Sequence, residues 1–319
     1  MRLLLLAIAV TIVLAIVSLF VGVSDVSLGA LLSSSPEDRP MQVLLISRIP
    51  RTLAIILAGA SMAIAGLVMQ MVVRNRFVEP STAGTTESAS LGFLVVTLLA
   101  PGWPLMAKML VAALFALGGT ALFLRILRAV PLRDPLLVPL VGIMLGGIIG
   151  AATTFIAYRF DMMASLLAWG MGDFSGVLRG RYELLWVGFA CAAVAYVAAD
   201  RFTLAGMGED FTTNLGLNYK RVMIAGLVIV SLASAVVLVS VGSIPFLGLV
   251  VPNLVSLMVG DNMRRTVPWV AVMGAGFVLA CDILGRVIRA PYEIPISVVV
   301  GVIGSAVFLY LLLRTRRAA

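Results

Sequence analysis

The sequence predicts an all-α fold, a polytopic membrane helix bundle with about ten transmembrane helices. Of its 319 residues, 61% are hydrophobic and 12% are charged, whereas a water-soluble domain carries about a quarter charged residues. The apolar runs are continuous, which favours helices over the alternating strands of a membrane barrel. Ten crossings use about 200 residues and leave about 120 for ends and loops. We therefore expect residues 1–319 to form a single transmembrane domain.

Ten apolar runs, separated by proline, glycine or charged residues, define the predicted helices in chain order. The first, at roughly 3–23, is about 20 residues long and lacks a clear A-x-A cleavage site. We interpret it as a retained helix rather than a secretory signal. The others lie at roughly 52–73, 86–100, 104–127, 136–158, 184–199, 220–241, 246–259, 268–287 and 296–313.

Small residues recur within these runs at the spacing that lets helix backbones approach closely in lipid. The sets are Gly59, Ala63 and Gly66, then Gly142, Gly146 and Gly150, and then Gly301 and Ser305. We expect ordinary helix packing at these positions.

The distribution of basic residues predicts the orientation of the bundle. Cytoplasmic loops normally hold more Lys and Arg, and the trio Arg314, Arg316 and Arg317 follows directly on the last run. Both termini are therefore predicted to be cytoplasmic. The net charge of +8 is scattered at the ends of apolar runs and forms no block, so it does not indicate a nucleic-acid partner.

The composition argues against enzymatic chemistry. The chain contains no histidine, the commonest general base and transition-metal ligand. Cys191 and Cys281 lie in apolar runs and are predicted to be small core residues. Neither lysine, Lys108 or Lys220, belongs to a Gly-Lys-Ser/Thr phosphate loop. We expect no catalytic residue, no metal site and no cofactor in this chain, so ATP and magnesium would be bound by a separate ATPase.

A polar stretch at about 205–218 lies between the sixth and seventh runs and is bracketed by glycines. Glu209 and Asp210 would occupy the first turn of a short helix, where the helix dipole favours negative charge. Phe211 and Leu215 are four residues apart and would form one apolar face. Such a helix could dock in a groove of a soluble partner or lie on the membrane surface.

This stretch resembles the cytoplasmic coupling loop of the iron-siderophore and vitamin B12 permease family of bacterial ABC importers. The family pattern of Gly-Glu followed by Leu-Gly is matched by Gly208-Glu209 and Leu215-Gly216. The resemblance implies a type II ABC importer permease fold. It also implies contact with an ABC ATPase through the following coupling residues: Gly208, Glu209, Phe211, Leu215, Gly216 and Leu217.

The likeness covers nearly the whole chain. Its further landmarks are Ser47-Arg48-Ile49-Pro50-Arg51, Gly59 to Gln70, Trp169-Gly170-Met171-Gly172, Pro245 to Asn253, Asp282 to Arg286, and Glu293-Ile294-Pro295. Asn253 departs from the family, which usually has a histidine there. The segment from Pro80 to Glu87 departs from the usual glycine-rich version and resembles the branch that serves catecholate siderophores.

Three arginines, Arg48, Arg51 and Arg286, fall at predicted outer ends of helices. An arginine fork can pair with a carboxylate, and in the family the matching arginines receive acidic residues of the substrate-binding protein. The alternative is that such arginines reach toward lipid head groups. Asp282 and Arg286 are four residues apart on one helical face and are predicted to pair.

A gate is implied by a second match. Residues 75–80 resemble the family pattern Asn-Pro-Leu-Ala-x-Pro, although Arg76 replaces a proline and Phe77 also departs. The resemblance places Asn75 and Phe77 near the cytoplasmic gate.

The resulting hypothesis is the permease subunit of an ABC importer for a ferric siderophore of the catecholate type, in the bacterial cytoplasmic (inner) membrane. Its expected partners are an ABC ATPase, a periplasmic or lipid-anchored siderophore-binding protein, and a second permease subunit, either identical or paralogous. The alternatives are a permease for cobalamin or haem, and an ion-coupled secondary transporter. The latter usually needs acidic relays within helices, for which Asp282 and Glu87 are the main candidates.

Overall fold

The computed structural model describes residues 2–22, 38–129 and 137–317, the last four by backbone alone. Apart from one bridge between Met171 and Ser243, the regular structure in these ranges is helical, which confirms the predicted fold class. In chain order the helices are α1 (Arg2–Phe20), α2 (Arg39–Val73), α3 (Thr85–Leu99), α4 (Leu105–Ala129), α5 (Leu137–Arg159), α6 (Met163–Gly170), α7 (Leu185–Val197), α8 (Ala199–Gly206), α9 (Glu209–Asn214), α10 (Tyr219–Val241), α11 (Leu247–Val259), α12 (Met263–Val287) and α13 (Ile296–Arg317).

Each of the ten predicted runs coincides with a helix. Seven helices in the described ranges are long and apolar enough to cross a membrane, namely α1, α2, α4, α5, α10, α12 and α13. Helices α7 and α8 pass the same test as a pair bent by 67°. Helices α3 and α11 have 15 and 13 residues, fewer than the about 20 that a complete crossing needs. Residues 23 and 136, at the ends of two predicted runs, and the side chains of Arg314, Arg316 and Arg317 lie outside the described residues.

Helix α2 forms the centre of the bundle. It packs against α7, α10, α11 and α12 and is almost entirely buried, whereas α1 lies at the periphery. Its small residues allow this packing: a Cβ on Gly274 of α12 would lie 2.6 Å from the Gly59 carbonyl oxygen and 2.7 Å from Ala63 Cβ. The predicted packing role of Gly59 and Ala63 is confirmed. A Cβ on Gly150, by contrast, would meet no atom within 4 Å.

The two ends of the bundle are named here by what they carry. Arg51 at the start of α2 and Arg286 near the end of α12 lie together at the arginine end. The opposite end carries α9 and is called the α9 end. Helix α2 stops there at Arg74, which adopts the left-handed conformation with φ 56°.

The chain then turns back into the bundle. Residues 74–80, here called the return segment, run from the end of α2 to Glu79, which lies against Gly248 of α11. Gly248 in turn touches Gly66, seven residues before the end of α2, so Glu79 lies about 10 Å inside the α9 end. Helix α3 therefore begins within the bundle, which explains why it is short.

Candidate functional site

The predicted coupling segment forms a short helix at the α9 end. Gly208 precedes α9 with φ 119°, a conformation that glycine adopts readily, and Gly216 follows it with φ 78°. Glu209 and Asp210 occupy the first turn, as predicted. The buried Thr212 hydroxyl lies within hydrogen-bond distance of two backbone oxygens, 2.9 Å from that of Leu204 in α8 and 2.6 Å from that of Gly208. This side chain fixes α9 to α8.

The opposite face of α9 is apolar and exposed. Phe211 and Leu215 are 44% and 55% exposed, and Met207, just before the helix, is 58% exposed. Helix α8 itself is anchored in the core by Phe202. The predicted apolar face is therefore present on a rigidly held helix, a geometry that suits docking into a groove.

The predicted gate residues lie in the return segment. The Asn75 side-chain oxygen accepts a hydrogen bond from the Phe77 backbone N–H at 2.8 Å, which forms a local turn. The Phe77 ring packs edge-to-face against Phe308 of α13, with 6.1 Å between ring centroids. Arg76 forms an ion pair with Asp261 at the corner between α11 and α12.

A cavity of about 530 Å³ separates the return segment from α8. It opens at the α9 end between α2, α8, α11 and α12. Its lining includes Gln70, Arg74, Asn75, Met207, Asn253 and Asp261. The coupling segment and the return segment thus face each other across solvent-accessible space.

At the arginine end, the predicted docking arginines are buried. Arg51 donates to Glu293 at 2.7 Å and to Asp282 at 2.8 Å. Arg286 also pairs with Asp282, which confirms the pairing predicted from their spacing. A buried charge is stable only when it is paired. The guanidinium groups that we expected to bind carboxylates of a partner protein are paired instead with carboxylates of this chain. Their role in docking stays a prediction.

The same cluster holds the end of α1. Arg286 donates to the backbone oxygens of Ser18 and Val21, at 3.0 and 2.7 Å, and Arg48 donates to that of Val21 at 2.6 Å. Within the described residues, three arginines face two carboxylates. The buried Nε atoms of Arg51 and Arg286 have no acceptor there. The cluster therefore retains unused donor capacity.

Sequence reasoning missed Glu79. Its side chain is 1% exposed, and one carboxylate oxygen accepts hydrogen bonds from the Ser81 hydroxyl at 2.6 Å and the Phe246 backbone N–H at 2.9 Å. The signal was an acidic residue in the short stretch between two apolar runs, since a buried charge at membrane depth usually has a function.

Asp282, one of the two carboxylates considered for an ion relay, is held between arginines.

Comparisons with known proteins agree with this architecture. The sequence model of the FecCD transport family matches residues 10–314. The petrobactin import system permease protein YclN of Bacillus subtilis is 50% identical over 97% of both chains. The petrobactin import system permease protein FatD of Bacillus anthracis is 45% identical over 98% of this chain and 91% of its own. A solved inward-facing metal-chelate type ABC transporter superposes with a TM-score of 0.81 at 25% identity, covering 98% of this chain and 99% of its own.

Proposed function

The chain belongs to the FecCD transport family, and from that membership we propose that it is the membrane-spanning permease of an ABC importer for a ferric siderophore. Members of this family are transport subunits rather than enzymes. The observation that carries the proposal is the exposed apolar face of α9, because this chain has no phosphate loop and an ATP-driven importer therefore needs a surface on which a separate ATPase docks. A soluble ATPase docked on Phe211 and Leu215 supplies that energy.

The proposed cargo is a siderophore of the catecholate type, and petrobactin is the first compound to test. Two relatives at 50% and 45% identity carry petrobactin import in their names. The segment from Pro80 to Glu87, which resembles the catecholate branch, lies at the start of α3 inside the bundle. Cobalamin and haem serve as competing cargoes in the same assay.

The proposed importer also includes a nucleotide-binding partner and a second permease subunit. ATP and magnesium belong to the partner ATPase, not to this chain. A second permease subunit, identical or paralogous, completes the pathway, and the open surface at Gly147 and Gly150 of α5 leaves room for a partner helix. Both termini face the cytoplasm at the inner membrane, so α9 does as well.

A substrate-binding protein docks at the arginine end in this scheme. Arg51 and Arg286 are held by internal carboxylates, so docking requires an arginine to exchange one internal partner for a carboxylate of the binding protein. Glu293 is the more accessible of the two internal partners of Arg51. A carboxylate of the binding protein would compete with Glu293 for this fork.

The experiment is co-purification with the candidate ATPase, followed by uptake into proteoliposomes. We expect the wild-type permease to retain the ATPase and the double variant Glu209→Arg plus Leu215→Asp to lose it. Uptake of ferric petrobactin should require ATP. Uptake that persists without the ATPase but follows an ion gradient would contradict the proposal and favour a secondary transporter.

A further inference from the structure

The return segment is attached to α11 at its inner end by Glu79. The Glu79 carboxylate accepts the backbone N–H of Phe246, the residue that precedes the first turn of α11. The N-terminus of a helix carries partial positive charge, so a carboxylate placed there is stabilised. Ser81 and Thr82 support this arrangement: Ser81 donates to the Glu79 carboxylate, and the Thr82 hydroxyl accepts from the Glu79 N–H at 2.9 Å.

A second attachment lies one to two turns further along α11. The Asn253 side-chain N–H group donates to the backbone oxygen of Arg76 at 2.8 Å and to that of Leu249 at 2.7 Å. A single amide group therefore joins α11 to the return segment. It holds the backbone of the return segment directly beside the gate residue Phe77.

A third attachment is at the far end of α11. Asp261 lies at the corner between α11 and α12 and pairs with Arg76 through one oxygen and with Ser256 through the other. An exposed pair of this kind adds little stability on its own. It does set the position of the return segment relative to the corner, because Arg76 is held through both its backbone oxygen and its guanidinium, while Glu79 holds the inner end.

The same corner contacts α8, which leads directly into the coupling helix. The Thr203 hydroxyl of α8 accepts a hydrogen bond from the Met263 backbone N–H at 3.1 Å. Asp200, also in α8, pairs with Arg264 at 2.6 Å. Helix α9 is therefore connected through α8 to the first turn of α12, two residues from Asp261.

We propose that the return segment and α11 form one gating body, with Glu79 and Asn253 as its positioning residues, and that α9 drives this body through the contact between α8 and the α11–α12 corner. This inference rests on the proposed function. Packed elements switch between discrete arrangements, so a segment held at Arg76 and at Glu79 moves with the helix that holds it. The cavity between the return segment and α8 provides space for that movement.

The test uses the complete importer, with its ATPase and binding protein, in proteoliposomes. A Phe77→Cys substitution reports on the gate through its reaction with a membrane-impermeant thiol reagent, since native Cys191 and Cys281 are buried. We expect ATP with vanadate to change the labelling rate at least about fivefold in the otherwise wild-type chain. The same measurement is made in the Asn253→Asp and Glu79→Gln backgrounds.

Asn253→Asp removes the donated hydrogen bond to Arg76 without changing the size of the side chain. Its control is Asn262→Asp, which adds the same charge at the same end but keeps the oxygen that accepts the Arg265 N–H. We expect the effect of ATP with vanadate on the labelling rate to fall below about twofold in Asn253→Asp and in Glu79→Gln, and to persist in the control. If Glu79→Gln does not fold, the labelling rate in Asn253→Asp, a substitution at a partly exposed position, still tests the proposal.

The outcomes separate this inference from the proposed function. A full nucleotide response in Asn253→Asp, with the ATPase still bound, would overturn the gating body and leave the importer function intact. Failure of the wild-type permease to bind the ATPase would overturn the function, and the inference with it.

Discussion

Gly66 of α2 and Gly248 of α11 are in direct backbone contact, such that a Cβ on Gly248 would lie 2.9 Å from the Gly66 Cα. The Gln70 side-chain N–H group donates to the Gly248 backbone oxygen at 3.2 Å, one turn further along α2. This contact places the start of α11 at the depth of Glu79. The position of the proposed gating body therefore depends on two glycines.

Gly66→Ala should destabilise the protein. The added methyl group would overlap the Gly248 carbonyl, and overpacking a core contact costs about 1 to 3 kcal/mol. Gly118→Ala in α4 is the control, because a Cβ there meets no atom within 4 Å. Thermal unfolding in detergent should show a lower midpoint for Gly66→Ala and no decrease in the midpoint for the control. Equal midpoints would show that the α2–α11 contact adapts.

Asp282→Ala should be severely destabilising. The carboxylate holds both Arg51 and Arg286, and removing one partner of a buried ion pair costs about 3 to 5 kcal/mol. Asp200→Ala, which breaks the exposed pair with Arg264, should have a small effect. Expression level and unfolding midpoint are measured for both. The idea that Asp282 holds the arginine end together would not survive if both variants behaved alike.

Thr212→Val should weaken ATPase binding without changing the exposed face of α9. The substitution keeps the shape of the side chain but removes hydroxyl bonds worth about 0.5 to 1.5 kcal/mol, so the affinity should fall by up to about tenfold. Thr213→Val, at an exposed neighbouring position, is the control. Titration of the ATPase by light scattering or calorimetry gives the affinities. An unchanged affinity for Thr212→Val would mean that α9 is oriented by the ATPase itself.

Glu293→Gln should strengthen docking of the binding protein. The variant removes one of the two internal carboxylates on Arg51, so an incoming carboxylate meets less competition, and we expect about fivefold tighter binding at low salt. Glu183→Gln is the control, because the Glu183 carboxylate accepts a hydrogen bond from the Gly180 backbone N–H rather than from Arg51. Unchanged or weaker binding by Glu293→Gln would restrict Arg51 to an internal role.

The helices were largely predictable because their solvent is lipid. All ten apolar runs became helices, most within a few residues of the predicted bounds, since an apolar run in a membrane must satisfy its backbone internally. The short helix α9 was predictable from its glycines and its first-turn acids. The pairing of Asp282 with Arg286 followed from their spacing on one helix face.

What the sequence alone determined is therefore local: the membrane environment, the helices, the family landmarks and the apolar face of α9. The tertiary structure decided which charges meet. Asp282 joins Arg51 across 231 positions of the chain, and Phe246 donates to Glu79 across 167. Periodicity and spacing describe neighbours within one element, whereas a buried charge takes whichever partner the packing of distant helices brings within hydrogen-bond reach. For that reason the arginines satisfied within this chain, and Glu79 at the start of α11, emerged only from the fold.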